Sequence, residues 1–265
     1  MHSLLESNLR VIEFAPLLLT ISIFIFTTLG WYFGHYRLKK YGDDGVIIRD
    51  SLVAAIFGLS ALVLGFTFSG SATRYADRMQ SIRVQAQALQ DVYGSVKYLA
   101  PSDQVEIKKS LDALLDLRLS VYKNITSMSD VDSGSLEISK AIRKIQEEVS
   151  KASLNAPLAN KTLVTDLLIP QVAGLASAFA AGIINTKSHP PGLLMKFLFA
   201  LLCIGAFLIG YTMAVKKESD WLLATLYTLL IGISLFVILS LEVPNLLMPY
   251  EETNREFLLI KSMVK

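Results

Sequence analysis

The longest regular pattern of hydrophobic positions in the chain runs from Leu52 to Leu99. Small or apolar side chains recur there at alternating spacings of four and three residues, which is the spacing of a helical seam. The seam consists of Ala54, Gly58, Ala61, Gly65, Phe68, Ala72, Tyr75, Met79, Ile82, Ala86, Leu89, Tyr93 and Val96. Because no proline interrupts it, the pattern predicts one unbroken helix, roughly 70 Å long at ~1.5 Å per residue.

The two parts of this predicted helix differ in polarity. Residues 52–70 carry no charge and are numerous enough to cross a bilayer core of ~30 Å, whereas residues 71–99 mix charged and apolar side chains. Three further apolar segments have spanning length, at about 14–36, 193–215 and 221–241. The pattern therefore predicts four transmembrane helices, the second of which continues into water.

The predicted fold is an all-α integral membrane protein. A helical extramembrane domain is inserted between the second and third spans and is supported by the long second helix. The chain divides into an N-terminal tail with a transmembrane hairpin (1–70), the inserted domain (71–192), and two further spans with a C-terminal tail (193–265). Four spans place both termini and the inserted domain on one side of the membrane.

Within the inserted domain, apolar stripes and chain breaks predict three more helices. A helix at about 103–126 should fold back along the long helix, and a loop at 126–135 should separate it from a helix at about 135–152. Residues 160–186 predict another helix, which Pro170 interrupts. Its nearly uncharged second half is expected to pack against the long helix, with re-entry into the membrane as the alternative.

Composition supports a membrane protein and argues against most other classes. Hydrophobic residues make up 52% of the chain and the mean hydropathy is +0.48, which indicates several spans. The formal net charge of +2 gives no support for a nucleic-acid partner. The single cysteine, Cys203, lies in an apolar run and the three histidines are scattered. We expect no catalytic site, no metal and no cofactor, so an enzyme is the weakest class.

A run in the second span resembles a known family. Val63-Leu64-Gly65-Phe66, followed by Thr73-Arg74, resembles the second helix of bestrophin channels. The wider plan is similar to that of bacterial bestrophin-like membrane proteins. The further matches are Arg74-Tyr75, Arg78, the Pro190-Pro191 pair that opens the third span, Gly210-Tyr211 at its end and Glu242-Val-Pro244 after the fourth. The paired tryptophans of bestrophins are replaced by Tyr75 and Ala76.

The resemblance implies a homo-oligomeric ion channel in a lipid bilayer, with anions as the expected permeating ions. The second helix of bestrophins lines an apolar neck, whose positions fall on Gly58, Leu62 and Phe66 here. A glycine at the first position implies a shorter or wider neck. The helix-packing seam of Ala54, Ala61, Gly65 and Phe68, most of whose members are small, is expected to pack against neighbouring spans. Arg74 and Arg78, just beyond the span, are expected to form a basic ring that draws anions to the neck.

The side of the membrane is less constrained by the sequence. Basic residues are distributed about evenly between the two sides, so the positive-inside rule does not decide the orientation. The resemblance implies a bacterial inner (cell) membrane location with the helical domain in the cytoplasm. A second interpretation is a non-conducting oligomeric scaffold or sensor whose helical domain binds a partner, because a heptad seam serves oligomer contacts as readily as a pore.

Overall fold

The computed structural model describes most of the chain. The described residues are 10–42, 48–123, 128–186, 188–218 and 220–264. They are helical almost throughout and include no β-strand. Residues 1–9 of the predicted N-terminal tail lie outside the described residues. The all-α prediction is confirmed for the part of the chain that the structure describes.

Ten helices, numbered in chain order, account for the described secondary structure. They are α1 (Arg10–Tyr41), α2 (Asp50–Ser95, extended by a 3-10 turn at Val96–Tyr98), α3 (Pro101–Lys123), α4 (Met128–Leu154), α5 (Leu158–Thr186), α6 (Gly192–Val215), α7 (Trp221–Glu242), α8 (Pro244–Leu247), α9 (Tyr250–Thr253) and α10 (Arg255–Val264). The unbroken long helix predicted over 52–99 is confirmed by α2 and the turn that continues it.

The helices belong to two compact units. The first unit comprises Arg10–Thr73 and His189–Leu247, and the second comprises Arg74–Ser188 and Met248–Lys265. Helix α2 therefore contributes its first part to one unit and its remainder to the other. Helices α1, α2, α5, α6 and α7 are long and apolar enough to cross a membrane. The described residues thus hold one more helix of spanning length than the four predicted, and the additional one is α5.

In the first unit, the backbones of α1 and α6 approach each other closely. A Cβ atom at Gly30 would overlap the carbonyl oxygen of Phe207, and one at Gly210 would overlap that of Thr27. Small residues permit such close approach, which is how helices gain van der Waals contact in a bilayer. This close packing joins the first span to the third, and the hairpin of the first two spans stays a prediction.

The core of the first unit involves all four of its long helices. Ile23, Leu198, Leu202, Ala206, Ile231 and Leu235 are buried there. Val63 and Leu64 of α2 pack against this cluster. The ring of Phe57 contacts that of Tyr227 edge-on, with 5.9 Å between the centroids. One side of α2 is therefore held by α6 and α7.

The second unit packs α3, α4, α5, α10 and the later part of α2 around one apolar core. Its buried members include Leu89, Val92, Leu111, Leu114, Ile142, Ile145, Leu168, Leu175 and Phe257. The Tyr93 hydroxyl donates to the Asp112 carboxylate at 2.7 Å, and the Gln104 amide donates to the Lys97 carbonyl at 3.1 Å. These contacts show that α3 folds back along α2, as predicted.

The predicted loop at 126–135 is wrong from residue 128 onward, because α4 begins at Met128. Residues 126 and 127 lie outside the described residues. Gly134 lies on this helix against the Val121 side chain, where a Cβ atom would overlap it. Gly134 therefore permits close packing of α4 on α3.

Helix α5 contains a local irregularity and belongs to the second unit. Val164–Leu168 forms a π-helical turn just before Pro170. Because proline lacks a backbone N–H and its ring displaces the carbonyl four residues earlier, a wider turn accommodates it. Val172, Leu175 and Phe179 are buried in the core of the second unit. Asn185 also hydrogen-bonds to Ser81, so the second half of α5 packs on α2 as expected.

Candidate functional site

The three residues predicted to form a neck lie along one exposed ridge of α2. Gly58, Leu62 and Phe66 follow each other at four-residue spacing, so each lies about one turn beyond the previous one. Leu62 is 54% exposed and Phe66 is 69% exposed. A Cβ atom at Gly58 would meet nothing within 4 Å. The ridge therefore carries two large apolar side chains beside an open space, all facing out of the first unit.

The small-residue seam beside this ridge is exposed as well. Ala54, Ala61, Gly65 and Phe68 are all classed as exposed, and the surroundings of Gly65 are open. Its packing against a neighbouring span remains a prediction. Within one chain, the seam presents an uncovered apolar surface.

The opposite side of α2 carries small polar residues. Ser60, Thr67 and Ser71 are buried within the chain. The hydroxyls of Ser60 and Thr67 donate to the carbonyls of Ile56 and Val63, one turn earlier, so these buried hydroxyls are satisfied within the helix. Helix α2 thus turns satisfied polar groups inward and apolar groups outward, an arrangement that suits a hydrocarbon environment or contact with another chain.

The heptad seam does not remain on one side of α2. Its early members are exposed, whereas Ala86, Leu89 and Val96 are buried in the second unit. A spacing of 3.5 residues drifts by ~20° per heptad on a helix with 3.6 residues per turn. Over the six heptads from Ala54 to Val96 the drift is about 120°. One sequence stripe therefore supplies an outward surface at its start and a core surface at its end.

The two arginines predicted to form a basic ring have different environments. Arg78 is 7% exposed, and its Nη2 donates to the carbonyl of Ser188 at 2.6 Å. Its Nε donates to the carbonyl of Asn185 at 3.4 Å. Carbonyls at the C-terminal end of a helix carry partial negative charge, so Arg78 stabilises the end of α5. Arg74 lies one helical turn earlier on α2 and is more exposed.

Buried Ser71 and buried Arg78 are seven residues apart on α2. Residues two turns apart share a helix face, so Arg78 lies on the same face of α2 as Ser71. The buried polar residues of α2 recur at helical spacing in the sequence: Ser60, Thr67, Ser71 and Arg78. The sequence-based prediction considered only the neighbouring seam of small residues.

Arg118, a buried arginine in the second unit, was not among the residues predicted from the sequence. Arg118 is 1% exposed and lies on α3. It occupies a gap in the apolar stripe of α3, four residues after Leu114 and three before Val121. A basic residue at an apolar position of an amphipathic helix is the signal that could have identified it.

A shallow groove between α2 and α5 in the second unit offers no catalytic arrangement. Its volume is about 320 Å³, and it is lined by Val84, Gln87, Ala88, Asp91, Gln171, Gly174 and Ala178. Gln87 donates to Asp91 at 2.7 Å, so the carboxylate is engaged by its neighbour. Among the described residues, no group of three or more His, Cys, Asp or Glu side chains is placed to hold a metal ion.

Comparison with known proteins identifies relatives over nearly the whole chain. The family model of the bestrophin-like domain matches residues 23–245. A crystal structure of a bacterial bestrophin homologue from Klebsiella pneumoniae, carrying a point mutation, is similar with a TM-score of 0.63 at 12% identity. That match covers 90% of this chain and 99% of the homologue.

A second crystal structure, of a membrane protein, is similar with a TM-score of 0.64 at 11% identity. It covers 93% of this chain and 98% of the other. No curated protein sequence matches the chain. At these identities, the two solved structures establish a shared fold.

Proposed function

Because the chain belongs to the bestrophin-like family, we propose that this integral membrane protein is a homo-oligomeric ion channel whose second helices line the conduction path. The observation that carries the proposal is the exposed apolar face of α2. In the apolar 18-residue segment of α2, 11% of the residues are buried within the chain, whereas the corresponding share is 33% in α6 and in α7. A helix that lines a shared axis must keep one face free of contacts within its own chain.

The exposed seam and the exposed ridge fit two different roles on that face. The seam of Ala54, Ala61, Gly65 and Phe68 includes three small residues, Ala54, Ala61 and Gly65, which let helices from neighbouring copies approach closely. The ridge of Leu62 and Phe66 offers bulky apolar side chains, which can control ion flow by dewetting a constriction. Gly58 contributes no side chain, so the neck comprises two rings of side chains rather than three.

Anion conduction is supported by positive charge beyond the neck. Arg74 is eight residues after Phe66, or about 12 Å along the helix. A ring of Arg74 side chains from several copies would raise the local anion concentration. Arg78 acts differently in this proposal: its contacts with the Ser188 and Asn185 carbonyls hold the end of α5.

We further propose that four helices span the bilayer: α1, the first part of α2, α6 and α7. Helix α5 stays with the second unit because Val172, Leu175 and Phe179 are needed in that unit's core. The resulting arrangement is the predicted one of 1–70, 71–192 and 193–265. The membrane is the bacterial inner (cell) membrane, with the inserted helical domain in the cytoplasm.

Halide flux into liposomes containing the purified protein tests the function. The wild-type chain should carry halide flux. Leu62→Ala and Phe66→Ala should each raise that flux several-fold, because each replaces a bulky side chain that narrows the neck with a small one. Leu229→Ala is the matched control, since Leu229 is an exposed leucine of α7 (52%) outside the proposed path. An oligomer that forms but carries no flux would contradict conduction and support the non-conducting scaffold instead.

A further inference from the structure

Arg118 is a fully buried cation at the contact between α3 and the C-terminal segment. Its guanidinium carbon lies 3.3 Å from the ring centroid of Tyr122 and 4.7 Å from that of Phe257. Aromatic faces attract cations, so these two rings hold the guanidinium plane in place. Its Nη1 donates to the Asn254 side-chain oxygen at 3.1 Å, which connects α3 to the residue that precedes α10.

The other edge of the guanidinium has unused donors. Nε and Nη2 of Arg118 are buried and have no hydrogen-bond acceptor among the described residues. These two nitrogens form the side-on fork of arginine, whose parallel N–H groups match two carboxylate oxygens or converge on one small anion. Asn254 does not accept from Nε or Nη2. Its side-chain oxygen accepts from Nη1, and its amide donates to Tyr250 and Thr253.

No acidic side chain in the described part of the chain neutralises this charge. The groups that act on Arg118 electrostatically are the phenol groups of Tyr122 and Tyr250. The nearby carboxylate of Asp116 instead pairs with Lys261 at 2.7 Å. Burial lowers the pKa of the Arg118 guanidinium, but an arginine starts from so high a value that it remains charged near neutral pH. A buried charge that no counter-charge neutralises is strongly unfavourable, which favours an anionic ligand at this position.

We infer that the Nε and Nη2 fork of Arg118 binds a small monovalent anion, either a halide or a small carboxylate, which completes the contact between α3 and the C-terminal helix α10. The inference rests on the second unit alone and holds whether or not the protein conducts ions. Binding of the anion holds Arg118 in its contacts with Asn254 and Phe257 and so stabilises the packing of α10 on α3.

Thermal unfolding of the full-length protein in detergent tests the inference. Chloride or formate is titrated at constant ionic strength, balanced with the bulky sulfonate MES, which the buried fork cannot admit. The wild-type midpoint should rise and saturate with chloride, with formate, or with both, and the pattern distinguishes a halide ligand from a carboxylate. Arg118→Met should abolish the saturable rise, and Arg118→Lys should weaken the apparent affinity at least tenfold because it lacks the fork.

The matched control is Arg143→Met, which removes an exposed arginine from α4 and should titrate as the wild type does. A wild-type midpoint that is the same in every salt, or an equal saturable rise in Arg118→Met, would overturn the inference. If Arg118→Met does not fold, bromide-soaked crystals of the wild type decide the question. An anomalous peak at the Arg118 fork supports the site, and a bromide-containing crystal without that peak refutes it.

Discussion

Gly30 lies directly against the backbone carbonyl of Phe207, with no room for a Cβ atom between them. The reciprocal contact of Gly210 with the Thr27 carbonyl makes the approach of α1 and α6 symmetrical. Both helices are fixed by backbone contact, whereas α2 meets the first unit through side chains such as Phe57, Val63 and Leu64. In the proposed channel, the tightly packed pair supports α2 and leaves its outer face free.

Gly30→Ala should destabilise the first unit. The added methyl group would overlap a backbone carbonyl that cannot rotate away, and overpacking of this kind typically costs about 1–3 kcal/mol. Thermal unfolding in detergent should show a lower midpoint for Gly30→Ala. Gly94→Ala, where a Cβ atom meets nothing within 4 Å, should leave the midpoint unchanged or raise it. Equal midpoints for Gly30→Ala and the wild type would contradict the close approach.

The pairing of α1 with α6 shows where sequence reasoning succeeds and where it stops. Runs of apolar residues located α1, the first part of α2, α6 and α7 as helices of spanning length, because that length is set by the bilayer, but α5 has spanning length too. Which spans pair is determined by shape: Gly30 and Gly34, four residues apart, form a groove that admits α6. That spacing was visible in the sequence, but it does not reveal which helix fills the groove.

The seam on α2 illustrates a second limit. Its spacing predicted a long helix correctly, since periodicity alone identifies a helix. It could not show that Phe68 and Ala86 face different surroundings, because that depends on how the small angular drift accumulates and on where the neighbouring helices lie. The neck and the ring of Arg74 side chains stay predictions, since both depend on copies of the chain that meet at a shared axis.

The C-terminal helix should be held mainly by Phe257 and little by its ion pair. Phe257 is completely buried between α3 and α5, and truncating such a residue typically costs about 3–5 kcal/mol. The Lys261–Asp116 pair is substantially exposed, and exposed pairs contribute about 0–1 kcal/mol. Hydrogen exchange of α10 should accelerate strongly in Phe257→Ala and hardly at all in Lys261→Ala. The reverse order would contradict this assignment.

The two arginines after the second span should respond differently to neutralisation. Arg74→Gln should reduce halide flux several-fold at low ionic strength and much less at high salt, where its field is screened. Arg78→Gln should lower the unfolding midpoint, because hydrogen bonds made by a charged group contribute about 1.5–3 kcal/mol. Flux and unfolding measured on both variants separate the roles. If the Arg74→Gln variant and the wild-type chain carry equal halide flux at low salt, the proposed ring of Arg74 side chains is contradicted.

The orientation can be measured with one introduced thiol. Cys203, the only native cysteine, is buried, so the wild-type chain should label poorly and serves as the control. Ser133 is exposed on α4. With the helical domain in the cytoplasm, Ser133→Cys should resist a membrane-impermeant maleimide in intact cells and react after lysis. Labelling in intact cells would place the domain on the opposite side.

Thiol modification within the proposed path tests the central claim most directly. Leu62→Cys and Phe66→Cys are placed in liposomes, and halide flux is recorded before and after a charged methanethiosulfonate reagent is added. Because both side chains should face a narrow, water-accessible axis, we expect the reagent to change flux at least several-fold in each variant. Flux through Leu229→Cys and through the wild-type chain should stay unchanged. Flux in Leu62→Cys and Phe66→Cys that is no more sensitive than in Leu229→Cys would contradict a conduction path along α2.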